Sequence, residues 1–200
     1  MTLDRFRPLA ARALAPFVSA ADRIGLTPDG VSAIAFVLAV AAAGGFYLAT
    51  PAGYLEGAIL VGLNGWLDLL DGALAREQAV DSRAGDLLDH VLDRYADIVI
   101  VGGLAAGVER YALGFLAITG VVMTSYLGTQ IQAVGLDRAY GGLLGRADRL
   151  VLVGVVGVAM AVVPRVGGLT LVAWLLALFA VVGHLTAVQR FVAAWRDLRS

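Results

Sequence analysis

An all-α integral membrane bundle of six transmembrane helices, preceded by an N-terminal amphipathic helix on the cytoplasmic surface, is the fold this sequence predicts. Three observations carry the expectation. The chain is 60% hydrophobic, with a mean hydropathy of +0.83, which is too apolar for an ordinary soluble domain of 200 residues. Its apolar stretches recur near the length of about 20 residues that crosses a bilayer core. Its 15 basic residues are all arginine and are unevenly spread. Four lie near the N-terminus (Arg5, Arg7, Arg12, Arg23), three in the middle of the chain (Arg76, Arg83, Arg94), three in a late linker region (Arg138, Arg146, Arg149) and three at the C-terminus (Arg190, Arg196, Arg199). Only Arg110 and Arg165 fall on the opposite side of the expected topology, so the positive-inside rule sets the first four groups in the cytoplasm.

The elements follow in order. Residues 3–20 alternate arginine with Leu, Ala, Phe and Val at helical spacing, the pattern of a helix lying on a membrane surface. Thr27-Pro28-Asp29 opens helix 1, expected over 30–49, because proline suits the first helical turn. Pro51-Ala52-Gly53 is expected as the outer turn, followed by helix 2 over 54–77. A polar turn around Asp81-Ser82-Arg83 precedes helix 3 over 83–107, and Glu109-Arg110 marks the next outer turn. Helix 4 is expected over 111–135, a glycine-rich linker from Asp137 to Arg146, helix 5 over 147–163 before Pro164, and helix 6 over 168–193. Both termini then face the cytoplasm. The organisation is a juxtamembrane segment (1–25) and one membrane domain (26–200).

Composition excludes some chemistry. There is no cysteine, so disulfides and thiolate metal sites are ruled out. No cleavable signal peptide is expected, because residues 1–25 lack a continuous apolar core. No nucleic-acid partner is expected.

The informative stretch is Asp68 to Asp93, DLLDGALAREQAVDSRAGDLLDHVLD, which fits D-x2-D-G-x2-A-R-x8-G-x3-D-x3-D at all eight fixed positions. Asp68 and Asp71 are three apart and share a helix face, while Gly85, Asp89 and Asp93 form a stripe at four-residue steps. A hairpin brings the two acidic pairs face to face. Carboxylates inside a membrane protein are costly and mark a functional site by default. Four of them close together cannot all stay ionised without cations. Hard divalent ions with oxygen ligands relieve that repulsion and commonly accompany phosphate substrates. Gly72, Ala75 and Gly85 keep one wall free of bulk, where a base or a diphosphate could approach the backbone, and Arg76 adds a fixed cation suited to phosphate.

This pattern resembles the signature of the CDP-alcohol phosphotransferase family, integral membrane enzymes of phospholipid synthesis. A second resemblance is the segment Leu26-Thr27-Pro28-Asp29-Gly30-Val31-Ser32, similar to the family's L-T-P-N-x-[VI]-[ST], with Asp29 in place of the usual Asn. The resemblance implies that Asp68, Asp71 and Asp89 hold Mg²⁺ or Mn²⁺, two ions in all, with Asp93 at their margin and serving as the base that takes the acceptor's proton. It implies a CDP-linked lipid bound by Asp68, Gly72, Ala75, Arg76 and Gly85. It also implies a homodimer in the cell membrane with its active site facing the cytoplasm. Gly145-Arg146-Ala147-Asp148-Arg149-Leu150 resembles the E-R-x-x-R-type segment of members whose acceptor is a phosphorylated polyol. Arg146 and Arg149, with Arg138 and Ser125, are therefore the candidate acceptor residues, and an Arg pair at i, i+3 could fork onto one phosphate. The inositol phosphate branch carries a basic residue soon after Ser-Tyr, whereas Leu127-Gly128-Thr129-Gln130 has none. Either Arg138 compensates or the acceptor differs.

The expected reaction transfers the phospholipid moiety of CDP-archaeol or CDP-diacylglycerol to a small polar alcohol such as inositol phosphate or glycerol phosphate, releasing CMP. The general look of the motif region is most similar to archaeal members, whose donor would be CDP-archaeol, and it resembles that of archaetidylinositol and phosphatidylinositol phosphate synthases; a bacterial member would use CDP-diacylglycerol. An unphosphorylated acceptor, serine or inositol, is the nearest alternative. A divalent-cation transporter would leave Gly72, Ala75, Arg76 and Gly85 unexplained, and a membrane prenyltransferase would place its acidic motifs far apart. Outside the pattern, Asp97 continues the Asp89–Asp93 stripe one turn further, either capping a polar network or pairing with an arginine. Asn64 is expected as an interhelical amide, and His90 and His184 as hydrogen-bonded packing residues.

Overall fold

Hydroxyl caps set the start of four of the long helices in this computed structural model, which describes residues 7–80, 82–137 and 144–199, with side chains from residue 13 onward. Thr27 Oγ1 accepts from Gly30 N–H at 3.2 Å and Thr50 Oγ1 from Gly53 N–H at 3.0 Å, each just before a proline that occupies a helix's first turn. Ser82 caps Gly85 at 3.1 Å and Thr170 caps Ala173 at 3.1 Å. The resulting order is α1 (Arg7–Arg23), α2 (Pro28–Leu48), α3 (Pro51–Glu77), α4 (Arg83–Gly107), α5 (Tyr111–Ala133), α6 (Arg146–Met160), a β-hairpin of β1 (Arg165–Val166) and β2 (Leu169–Thr170), and α7 (Leu171–Asp197).

Several boundaries correct the sequence reading, among them the ends of α6 at Met160 rather than 163 and of α7 at Asp197 rather than 193. Pro51-Ala52-Gly53 is not the outer turn but the first turn of α3. The chain reverses in two residues, Ala49 in the left-handed conformation (φ 53°) and Thr50. Residues 168–170 are not helical, because Gly167 and Gly168, both at positive φ, turn an antiparallel hairpin that pairs Arg165 with Thr170. Asp81 and Arg138, two residues of the sequence reading, lie outside the described residues.

Among the described residues, four helices are long and apolar enough to cross a membrane: α2, α3, α5 and α7. Helix α4 is as long but carries the charged stripe, and α6 has 15 residues. Close glycine contacts give the helix directions. Gly103 and Gly107 of α4 meet the carbonyls of Ala43 and Phe46 of α2, so these two helices run the same way. Gly157 and Leu150 of α6 face Ala58 and Gly65 of α3, which runs opposite. Gly114 of α5 faces Ala105, and Gly120 faces Phe179 of α7. A Cβ at Gly103 or Gly107 would collide with backbone, so these small residues are used within the chain; only Gly102 of that run faces open space.

The main core joins Phe46, Ile100, Leu104, Val121, Val153, Leu176 and Phe179 from α2, α4, α5, α6 and α7. A second cluster lies at the end of α3, where Leu14, Val18 and Ala21 of α1 pack on Leu70, Leu74 and Val31. Phe17 meets Trp66 edge-on at 4.9 Å, and Gln78 Nε2 donates to Asp22 Oδ1 and to the Leu26 carbonyl, each at 3.0 Å. Helix α1 is thereby tied to the end of α3 that carries the acidic pair.

Candidate active site

Asp68 and Asp71 stand within the last three turns of α3, and Asp89 stands on the second turn of α4 after the Ser82 cap. The tight 78–82 connection brings the two stripes together, as the hairpin reading requires. Asp68, Asp71 and Asp89 each offer a carboxylate oxygen, all within 4.8 Å of one another. This is a hard, all-oxygen donor set that fits a divalent cation of the Mg²⁺ or Mn²⁺ type. Asp71 is the buried member, and its Oδ2 accepts a 2.8 Å hydrogen bond from Ser32 Oγ of α2. Ser32 also bonds the Pro28 carbonyl at 3.2 Å. Sequence reasoning did not single out Ser32 as a site residue. Its signal is its place three residues after Asp29, at the end of the Leu26–Ser32 segment that resembles the family's L-T-P-N-x-[VI]-[ST].

Beside the trio is an open cleft lined by Pro28, Asp29, Ser32, Asp71, Gly72, Ala75, Val80, Ser82, Gly85, Asp86 and Asp89. Gly72, Ala75 and Gly85 thus all line this cleft. A Cβ at Gly72 would meet only Arg76 Nη1, at 3.6 Å, so a side chain there would protrude into the cleft. The same proximity shows that the exposed Arg76 reaches back along its helix to Gly72. At Gly85 a Cβ would come within 2.9 Å of Asp29 Oδ1, which places Asp29 at this wall.

Asp93 lines a small cavity with Asp68, Asp71 and Asp89, closed on the α6 side by Arg146. Arg146 Nη1 lies 2.6 Å from Asp68 Oδ2 and Arg146 Nη2 lies 2.6 Å from Asp93 Oδ1. One guanidinium therefore bridges the two helices of the acidic hairpin. One turn further, Arg149 Nη2 donates to Asp97 Oδ2 at 2.8 Å, with both side chains buried. Asp97 thus pairs with an arginine, one of its two expected roles, and Arg94 Nη2 approaches the same oxygen at 3.5 Å. The two contacts form a ladder: α4 presents Asp93 and Asp97 one turn apart, and the parallel α6 presents Arg146 and Arg149 one turn apart. The two arginines consequently meet different carboxylates here. Asp148 secures the start of α6 by accepting from Gly145 N–H at 2.9 Å.

The other expected residues sit as follows. Ser125 is half-buried on α5, next to Thr124, whose carbonyl accepts from Arg190 Nη1 of α7 at 2.5 Å. Arg190 is a further cation on the cytoplasm-assigned side that sequence reasoning used only for topology. The described contacts do not tie Ser125 to the acidic cluster. Asn64 Nδ2 donates to the Ala35 carbonyl at 2.8 Å, the interhelical amide anticipated from its position. His90 Nδ1 is 2.8 Å from the Asp86 carbonyl, and His184 Nε2 is 3.3 Å from Thr119 Oγ1.

Comparison with known proteins places this arrangement. The family model for CDP-alcohol phosphatidyltransferases matches residues 25–143. The archaetidylinositol phosphate synthase of Methanothermobacter thermautotrophicus is 30% identical over 202 residues, covering 98% of this chain and 96% of that protein. Among solved structures, the phosphatidylinositol phosphate synthase of Mycobacterium tuberculosis with CDP-DAG bound superposes with a TM-score of 0.78 at 28% identity, covering 92% of this chain and 94% of that one. The same enzyme in complex with manganese and citrate gives a TM-score of 0.79 at 27% identity, covering 91% and 88%.

Proposed function

The chain belongs to the CDP-alcohol phosphatidyltransferase family, and we propose that it transfers the phospholipid moiety of a CDP-linked lipid to the hydroxyl of a phosphorylated polyol, inositol phosphate in the first place, with release of CMP. Family membership leaves the cation-transporter alternative without support. The observation that carries the acceptor reading is the position of Arg146, a cation held against Asp68 and Asp93 at the junction of the acidic hairpin and α6. It puts positive charge beside the carboxylates at which the hydroxyl would lose its proton. The names of the archaeal and mycobacterial relatives support the same acceptor.

In this reading Asp68, Asp71 and Asp89 hold Mg²⁺ or Mn²⁺, two ions with Asp93 at the margin. When bound, the metal supplies charge neutralisation for the diphosphate and for the departing CMP. Gly72, Ala75 and Gly85 admit the nucleotide to the cleft wall, and Arg76 faces its phosphates. Asp93 accepts the proton of the acceptor hydroxyl. The hydroxyl oxygen bonds to the phosphorus that carries the lipid glycerol, the bond from that phosphorus to the bridging oxygen breaks, and CMP leaves with those electrons. Arg146 and Arg149, with Ser125, hold the acceptor; Arg138 joins them from outside the described residues. The donor's chains, archaeol or diacylglycerol, lie in the bilayer.

The topology belongs to the same proposal. Helices α2 to α7 make six spans, with the charged stripes of α4 and α6 shielded in the bundle, α1 on the cytoplasmic surface as the 1–25 segment, and the site at the cytoplasmic face of a homodimer in the cell membrane. One experiment tests the acceptor directly. Mass-spectrometric detection of CMP and lipid product, with CDP-archaeol and CDP-diacylglycerol each offered inositol phosphate, glycerol phosphate, serine and inositol, should show turnover with inositol phosphate. Turnover with serine or inositol alone would replace this reading with the unphosphorylated acceptor, which the absence of a basic residue in Leu127-Gly128-Thr129-Gln130 favours.

A further inference from the structure

Asp97 lies outside the eight fixed positions of the motif and takes no part in the reaction as drawn above, yet it is 5% exposed and ionisable. A buried carboxylate without a partner is strongly destabilising, so its partners define its purpose. They are Arg149 at 2.8 Å and Arg94 at 3.5 Å. Arg149 is itself 6% exposed, and its backbone N–H bonds the Gly145 carbonyl at 3.1 Å, which places it in the first closed turn of α6. Arg146 stands three residues earlier on the same face. The backbone of α6 packs chiefly on α3 and α7, and that of α4 on α2 and α5. The bond between α4 and the start of α6 is thus made by side chains, and the Asp97–Arg149 pair is its buried rung.

The pair also settles a competition. Arg94 Nη2 is 3.7 Å from Asp93 Oδ2, and Arg146 is already on Asp93. Without Asp97, Arg94 would be left with Asp93 alone of its two carboxylates, in competition with Arg146, and Arg149 would lose its buried partner. We propose that Asp97 is a positioning residue of the acceptor side: by holding Arg149 and drawing Arg94 toward itself, it fixes the first turn of α6 and keeps Arg146 as the close partner of both Asp68 and Asp93. The proposal rests on the reading that Arg146 serves the acceptor.

The test is the steady-state kinetics of the full-length membrane enzyme, reconstituted with divalent cation, as wild type, Asp97→Asn and Asp97→Glu. The acceptor KM is measured for whichever alcohol the wild type turns over. Turnover of uncharged alcohols alone would refute the phosphate-acceptor reading, and it would still leave this KM to be read. Asp97→Asn should raise the acceptor KM by about 10-fold or more, as expected for a binding group displaced by a fraction of an ångström to 1 Å. kcat at saturating acceptor and the KM for the CDP-lipid should change by less than about 2-fold, a split that general loss of structure would not produce. Asp97→Glu keeps the charge and lengthens the arm, so it should show the same split at smaller amplitude. The proposal is overturned if the acceptor KM of Asp97→Asn stays within 2-fold of wild type. A joint change of both KM values and kcat overturns it equally. If Asp97→Asn does not yield folded enzyme, the same two outcomes are read on Asp97→Glu.

Discussion

The acidic hairpin and the start of α6 make the two halves of one site by different means. In the hairpin, Asp68, Asp71 and Asp89 converge because helix periodicity and a five-residue connection leave them little choice. At the start of α6, Arg146 and Arg149 arrive from more than 50 residues away and are placed by the carboxylates they meet, Asp93 and Asp97. The first half is written in local spacing. The second is a ladder between two parallel helices, with each rung a charge pair. The difference teaches that the acidic trio can be inherited as a motif, whereas the arginine half, the acceptor side of the proposed reaction, depends on how α6 is docked.

The sharpest way to break the comparison is at the trio. Asp68→Asn, Asp71→Asn or Asp89→Asn should each abolish CMP release and divalent-cation binding, and chelation of the wild type should do the same until Mg²⁺ or Mn²⁺ is returned. Retention of cation binding by calorimetry in all three variants would detach the metal from the hairpin. Next in size is Asp93→Asn, which keeps shape and removes the proton acceptor. Turnover should fall by about 10²–10⁴-fold, while CDP-lipid affinity falls much less than for Asp89→Asn. An equal loss of affinity in the two would make Asp93 a metal ligand first.

The third expected effect is on the α6 half. Arg146→Ala should raise the acceptor KM by roughly 10- to 100-fold, the range of a charge-assisted hydrogen bond of about 1.5–3 kcal/mol. Metal affinity should survive, and a collapse of metal binding equal to that of Asp68→Asn would show that the two halves are not separable. The smallest effect belongs to the cleft wall. Gly72→Val projects a side chain into the cleft without backbone collision, so it should raise the CDP-lipid KM by about 5- to 10-fold, roughly 1 kcal/mol of crowding, with the acceptor KM unchanged. A shift in the acceptor KM instead would move the nucleotide elsewhere.

Much of this was legible before folding. The helices start where Thr-Pro and Ser caps stand in the sequence, and the expected bounds of α3 and α4 end at the residues observed, Glu77 and Gly107. The exceptions are instructive. Pro51 reads as a turn signal, but a proline after threonine equally starts a helix, and only the left-handed Ala49 decides between the two. The arginine pair reads as a fork for one phosphate, because three-residue spacing puts both on one face. What the spacing does not give is the pair's own partners, Asp93 and Asp97 on the parallel α4.

By itself the sequence determined the apolar helices, the eight-position motif and the convergence of Asp68, Asp71 and Asp89. These depend on the helix repeat and on a short connection, both properties of neighbouring residues. Only the tertiary structure decided that Ser32 bonds Asp71, that Arg146 bridges Asp68 and Asp93, and that Arg149 and Arg94 close on Asp97. Of these, the Ser32, Arg146 and Arg149 contacts join residues 39 or more apart in the chain. Partner choice there follows from helix docking through the close contacts at Gly103, Gly107 and Gly157 and from the cost of leaving a buried charge unpaired.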